Sequence, residues 1–172
     1  MKPDGHDPGM ILFSIDHVGI AVADLQAGID FHTSVLGLRL AHREDNPEHQ
    51  VSEAVLQTAG GDPSAAVQLL APLGENSPLA RFLARTGAGI QHLAFRVSDV
   101  ESAAAEYRRR GLRLLYDAPK PGTRGSRINF IHPKDAGGVL IELVEVADGP
   151  DQGQRDTVRT RQSGASPPED NS

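Results

Sequence analysis

Two stretches of this sequence set a histidine third in a run of apolar, largely β-branched residues: Ile15-Asp-His-Val-Gly-Ile-Ala-Val22 and Ile90-Gln-His-Leu-Ala-Phe-Arg-Val97. Further along, each half breaks a second apolar run with an oxygen-bearing side chain: Gln68 in Ala65-Ala-Val-Gln-Leu-Leu-Ala-Pro72, and Glu142 in Val139-Leu-Ile-Glu-Leu-Val-Glu-Val146. Gln68 follows His17 at almost the interval by which Glu142 follows His92. A polar group inside an apolar strand costs free energy unless something satisfies it. Two imidazoles, an amide and a carboxylate related by a pseudo-twofold could converge on one point. With no cysteine in the chain, no thiolate can join them. Such an N/O donor set suits Co, Ni, Mn, Fe or Zn, with remaining positions open to water or substrate. A single strand histidine is more commonly a hydrogen-bonded core residue; the matched pair, each with a matched oxygen partner, favours the ligand reading.

A second carboxylate has no counterpart. Val51, Glu53, Val55 and Gln57 share one face of an expected strand, and Ser52, Ala54 and Leu56 the other. Aligning the halves puts Arg127 at the position of Glu53. A carboxylate in one half only is what an asymmetric substrate would require, whereas pattern alone reads Glu53 as a solvated residue on an exposed strand face. Arg43, Lys120, Arg124, Arg127 and Lys134 are candidates for binding an anion, the Gly/Pro-rich loop 119–127 in particular. Its spacing matches no phosphate-cradling motif.

The elements that position these residues repeat. Residues 15–40 lie over 90–115, with His17 on His92 and Asp24 on Asp99, and with Gly37 meeting Gly111 after a one-residue slip. Each half begins with a strand (14–22, 90–97). An aspartate N-cap follows, with Ser98-Asp-Val-Glu101 resembling a capping box. Then comes an amphipathic helix (24–35, 99–110) with apolar positions at Leu25, Ile29 and Leu36, and at Val100, Ala103, Ala104 and Tyr107. A glycine ends each helix. Three strands complete each half: 38–44, 51–58 and 65–71, then 112–116, 126–131 and 139–146. Ser77 caps a linker helix, 77–86, with Pro78 at its first position. The expected fold is α+β: two tandem βαβββ modules (14–72 and 90–146) in one domain over 11–147, forming a curved mixed sheet with a cleft and flanking helices. Residues 1–10 read as a flexible start. Residues 148–172, with Val158 their one aliphatic residue, read as a disordered tail.

The 172 residues make one domain's worth of chain, with a formal net charge of -6. That balance argues against a sequence-independent nucleic-acid binder. No apolar run is long enough to span a membrane, and none near Met1 makes a signal-peptide core. A cytoplasmic protein is the expectation.

These motifs together resemble the vicinal oxygen chelate superfamily and, within it, the methylmalonyl-CoA epimerases, over about residues 14–146. The more particular carriers are His42-Arg-Glu-Asp-Asn-Pro-Glu48 and Arg127-Ile-Asn-Phe-Ile-His-Pro-Lys134; Ile15-Asp-His-Val-Gly-Ile-Ala21 is shared more widely. The resemblance implies a divalent metal (cobalt foremost, or manganese, nickel or zinc) on His17, Gln68, His92 and Glu142. It implies Glu53 as the catalytic acid–base, reversing the solvated reading, and Glu142 as a second base. It further implies an acyl-CoA substrate, methylmalonyl-CoA, whose (2R) and (2S) forms interconvert through an enolate, and a homodimer. Two departures stand out. Gln91 replaces a second histidine and is expected on the strand face opposite His92, and Phe31-His32 replaces an aromatic pair. Rival readings on the same scaffold are a glyoxalase-type isomerase of a thiol adduct and a metal-free small-molecule-binding protein of the resistance type. An extradiol-type dioxygenase is disfavoured by Gln68.

Overall fold

The computed structural model describes residues 12, 14–58, 60 and 66–147. The expected flexible start (1–10) and C-terminal tail (148–172) lie outside these residues. The strands are β1 (Ser14–Ala21), β2 (Arg39–Asn46), β3 (Val51–Gln57), β4 (Ala66–Pro72), β5 (Gly89–Arg96), β6 (Lys120–Pro121), β7 (Arg127–Ile131) and β8 (Leu140–Glu145). The helices are α1 (Leu25–Ser34), α2 (Pro78–Thr86) and α3 (Val100–Arg109). All eight strands form one curled mixed sheet in the order β2-β3-β4-β1-β5-β8-β7-β6. The order reads the same from either edge once β5 to β8 replace β1 to β4. The modules join where β1 runs antiparallel to β5, while β1–β4 and β5–β8 are parallel pairs.

Alternation assigns the two faces. In β3 and β4, Ala54, Leu56, Leu69 and Ala71 pack with Leu25 and Ile29 of α1. In the second module Val97, Val100, Ala103, Ile131 and Leu143 pack together in the same way around α3. Period 2 then turns Glu53, Gln68 and Glu142 to the face away from these helices. The caps are as expected at three sites. Asp24 accepts from Ala27 N at 3.0 Å, Asp99 from Ser102 N at 2.6 Å, and Ser77 from Leu79 N at 3.2 Å. Gly37 and Gly111 take left-handed φ values of 72° and 86° after their helices.

Four expectations are corrected. The capping box does not form, because Asp99 is the N-cap and Glu101 instead pairs with Arg127 at 2.7 Å. Leu36 lies beyond α1 and is exposed. The strand expected over 112–116 reduces to one bridge, Leu114 with Ile131. Beyond it the buried Asn129 side chain takes over from the backbone ladder. Its Oδ1 accepts from Tyr116 N at 3.2 Å, and its Nδ2 donates to Tyr116 O at 3.0 Å. The edge strand is β6 instead, held to two residues where Pro121 has no N–H to offer. Lastly, register identifies Ile128, not Arg127, as the counterpart of Glu53. Glu53 pairs with Leu70 two positions past Gln68, and Ile128 pairs with Val144 two past Glu142. Arg127 faces Glu101 and Glu145.

Candidate active site

Five neighbouring strands across the middle of the sheet each supply one polar side chain: Glu53 from β3, Gln68 from β4, His17 from β1, His92 from β5 and Glu142 from β8. All five are buried. The antiparallel β1–β5 register sets Gly19 beside His92 and Ala94 beside His17, so the two imidazoles lie on a diagonal. Gly19 is a glycine for want of room, since a Cβ there would stand 2.1 Å from His92 Cε1.

His17 Nε2 lies 2.9 Å from His92 Nε2, and both lie 3.1 Å from Glu142 Oε2. The distal ring nitrogens are committed elsewhere. His17 Nδ1 donates to Asp16 Oδ1 at 2.8 Å, and His92 Nδ1 to Gln91 Oε1 at 2.5 Å. With protons on both Nδ1 atoms, two Nε2 lone pairs and an anionic oxygen face one another, an arrangement that is repulsive until a cation enters it. Glu142 Oε2 has no hydrogen-bond donor of good geometry among the described residues. The donor set therefore fits a metal ion held by His17, His92 and Glu142. In the metal-free chain a proton on His17 is the available cation. Burial opposes it, but the carboxylates of Asp16 and Glu142 raise His17 to about 9. Burial likewise works to raise Glu142, and the two imidazoles overcome it and hold that carboxylate at about 2.

Gln68, the fourth expected ligand, is held from the other side. Its Nε2 donates to Glu53 Oε2 at 2.6 Å and to Thr123 Oγ1 at 2.8 Å, and its carbonyl oxygen makes no hydrogen bond among the described residues. Thr123 Oγ1 also donates to Glu53 Oε2 at 2.8 Å. One oxygen of Glu53 is thus fixed twice, while the buried Oε1 has no hydrogen-bond partner among the described residues. Burial pushes the Glu53 carboxyl above its ordinary range; Thr123 opposes the shift, and the charges of Glu44 and Glu142 add to it. The solvated reading of Glu53 fails on its 3% exposure.

Glu53, Gln68, His92 and Glu142 line one cavity of about 240 Å³. Leu70, Leu115, Ile128 and Phe130 supply apolar wall, and Tyr116 and Thr123 part of the rest. Such a pocket, apolar with a few convergent polar groups, suits a small acyl group. Of the anion candidates, Lys120 pairs with Glu48 at 3.1 Å, Arg127 with Glu101, and Arg43 donates to Gln26 at 2.8 Å. Arg124 and Lys134 are exposed.

Three contributors were not legible. Asp16 carries no signal of its own beside His17 in the sequence. Thr123 belongs by sequence to a basic loop, and its place over Glu53 depends on a contact 70 residues away in sequence. Gln91 departs from its expectation: its carboxamide folds back to His92 and lines the cavity.

Known proteins resemble this chain in sequence and fold. Residues 16–130 match the family described as the Glyoxalase/Bleomycin resistance protein/Dioxygenase superfamily. The ethylmalonyl-CoA/methylmalonyl-CoA epimerase of Cereibacter sphaeroides is 37% identical over 134 residues, 77% of this chain and 97% of that protein. The methylmalonyl-CoA epimerase of Mycobacterium tuberculosis superposes with a TM-score of 0.76 at 51% identity, over 80% of this chain and 91% of that one. A variant of the Streptomyces coelicolor methylmalonyl-CoA epimerase, in complex with 2-nitronate-propionyl-CoA, gives a TM-score of 0.75 at 44% identity over 80% of this chain and 99% of that one. With both the donor geometry and these likenesses in hand, the chain belongs to the glyoxalase/bleomycin resistance/dioxygenase superfamily and, within it, to the family of the methylmalonyl-CoA epimerases.

Proposed function

We propose that this chain interconverts (2R)- and (2S)-methylmalonyl-CoA by removing and returning the proton on the carbon between thioester and carboxylate. The observation that carries the reading is Glu53, a buried carboxyl with one oxygen clamped and one free, on the same cavity as Glu142. Clamping Oε2 between Gln68 and Thr123 leaves Oε1 to meet an α-proton without a search over rotamers. A carboxyl raised by burial is a better match to a weak carbon acid than an exposed one. Glu53 and Glu142 come from different modules, so they can serve opposite faces of the carbon; because a ligated carboxylate is a weak base, Glu142 would serve its face through a neighbouring water or on leaving the metal. Inversion needs that: one group takes the proton and the other delivers one. Leu70, Ile128 and Phe130 surround the two carboxyl groups with apolar wall.

His17, His92, Glu142 and the Gln68 carbonyl oxygen would hold the divalent metal, for which cobalt is proposed, with manganese, nickel or zinc as substitutes. When bound, the metal supplies Lewis-acid polarisation of the thioester oxygen and so acidifies the α-proton. A homodimer and a cytoplasmic location belong to the same reading. Among the described residues no helix is long and apolar enough to cross a membrane.

The test is chiral separation after incubating cobalt-loaded protein with one epimer of methylmalonyl-CoA. The expected result is an approach to equal amounts of both epimers. An unchanged epimer, together with turnover of a glutathione hemithioacetal, would move the chain to the glyoxalase-type reading.

A further inference from the structure

Each histidine of the pair is held by the residue that immediately precedes it. Asp16 Oδ1 accepts from His17 Nδ1 at 2.8 Å, and Gln91 Oε1 accepts from His92 Nδ1 at 2.5 Å. Adjacent strand residues point to opposite faces, so neither contact is expected from strand geometry. Both side chains must turn back along their own strand to make it. The modules differ in how they do so. Asp16 is a carboxylate, and Arg96 Nε donates to its other oxygen at 2.6 Å, from β5 across the module junction. Gln91 is a neutral amide that also lines the cavity.

The geometry points to Asp16 and Gln91 as a matched pair of positioning residues. They fix His17 and His92 in the tautomer that presents Nε2 to the shared site, Asp16 being anchored by Arg96. The inference rests on the reading of that site as a metal centre. An imidazole free to rotate about χ2, or to carry its proton on Nε2, would meet the centre with a donor hydrogen instead of a lone pair. Fixing both rings beforehand removes that loss from binding, and distal partners of ligand histidines typically account for roughly 10–100-fold in metal affinity. Gly19 completes the device by leaving its Cβ volume to the His92 ring. The asymmetry has a consequence of its own. The carboxylate makes the His17 nitrogen the more electron-rich donor, and the amide leaves His92 the weaker one.

Two measurements on the full chain test this, neither of them activity. Long-range ¹H–¹⁵N spectra of the zinc-loaded protein, labelled at histidine, should show Nδ1–H on both His17 and His92. An Nε2–H on either ring overturns the proposal. Zinc titration should then give roughly 10-fold or greater weakening for Asp16→Ala and Gln91→Leu. Gln91→Glu, which keeps the acceptor oxygen, should recover most of the affinity, and Asp16→Asn, whose single oxygen can serve His17 or Arg96 but not both, should recover part of it. Wild-type affinity in both truncations overturns the proposal, as does equal weakening in truncated and acceptor-keeping variants, which would signal mere packing. Failure of zinc to bind the unsubstituted protein overturns this proposal and the metal reading together. Zinc binding with the expected tautomers but no epimerisation would leave this inference standing and sink the epimerase reading alone.

Discussion

Glu53 sits where burial favours a proton and two fixed donors favour a charge. Replacing it with glutamine keeps the shape and removes the base. Removing a positioned general base costs typically 10²–10⁴-fold, so Glu53→Gln should reduce α-proton exchange by at least about 10²-fold. Metal content, measured by plasma mass spectrometry, should be unchanged; its loss would mean that Glu53 is part of the ligand set. His17 supports a second prediction. Its folded value of about 9 exceeds its ordinary 6.5. A raised base contributes stability that is fully present below the ordinary value and is lost as pH rises through the folded one. The metal-free protein should therefore lose thermal stability between about pH 6.5 and 9, and the metal-loaded protein much less, because metal replaces that proton. A flat profile for the metal-free protein would contradict the arrangement. At this scale the sequence was informative where the repeat doubled a residue, as with His17 and His92. It was silent where a contact crosses the modules, as from Thr123 to Glu53, or turns against strand alternation, as from Gln91 to His92.

At the scale of elements, the pattern of the strands carried most of the fold. Ala54 and Leu56 against Glu53 and Val55 set the two faces of β3, and the aspartate caps and terminal glycines bounded α1 and α3. What failed was local chemistry that competes with backbone pairing. Residues 112–116 look like a strand, but the Asn129 side chain takes the backbone groups of Tyr116. Counting along the sequence sets Arg127 against Glu53 because it cannot see register, which puts Ile128 there instead. The β1–β5 junction offers a direct test. Gly19→Ala would drive its methyl into His92, with Cε1, Nδ1 and Nε2 all within 2.5 Å of the new carbon. Gly19 is not among the glycines with positive φ, although the β1–β5 register shifts between it and Ile20, so far-ultraviolet circular dichroism should be retained. Metal affinity should fall at least about 10-fold, as for loss of a ring's support. Unaltered affinity would show that the ring has another place to go.

For the whole molecule, the palindromic strand order makes the site a joint product of two modules. Module one contributes His17 and Gln68 and module two His92 and Glu142, so an ion held by them ties the halves together across β1 and β5. Ligands that bind only the folded state stabilise it by mass action, about 2.7 kcal/mol at a hundredfold excess over Kd. Adding cobalt or zinc to EDTA-treated protein should accordingly raise the melting temperature in a concentration-dependent way. No shift would deny the ion its bridging place. The measurement that bears most directly on the central claim is proton exchange at the substrate's α-carbon. Cobalt-loaded protein is incubated with a single epimer of methylmalonyl-CoA in D₂O and followed by NMR, beside an EDTA-treated sample. The expected result is metal-dependent deuterium uptake at that carbon with loss of stereochemistry; exchange no faster than in the EDTA-treated control would contradict the account.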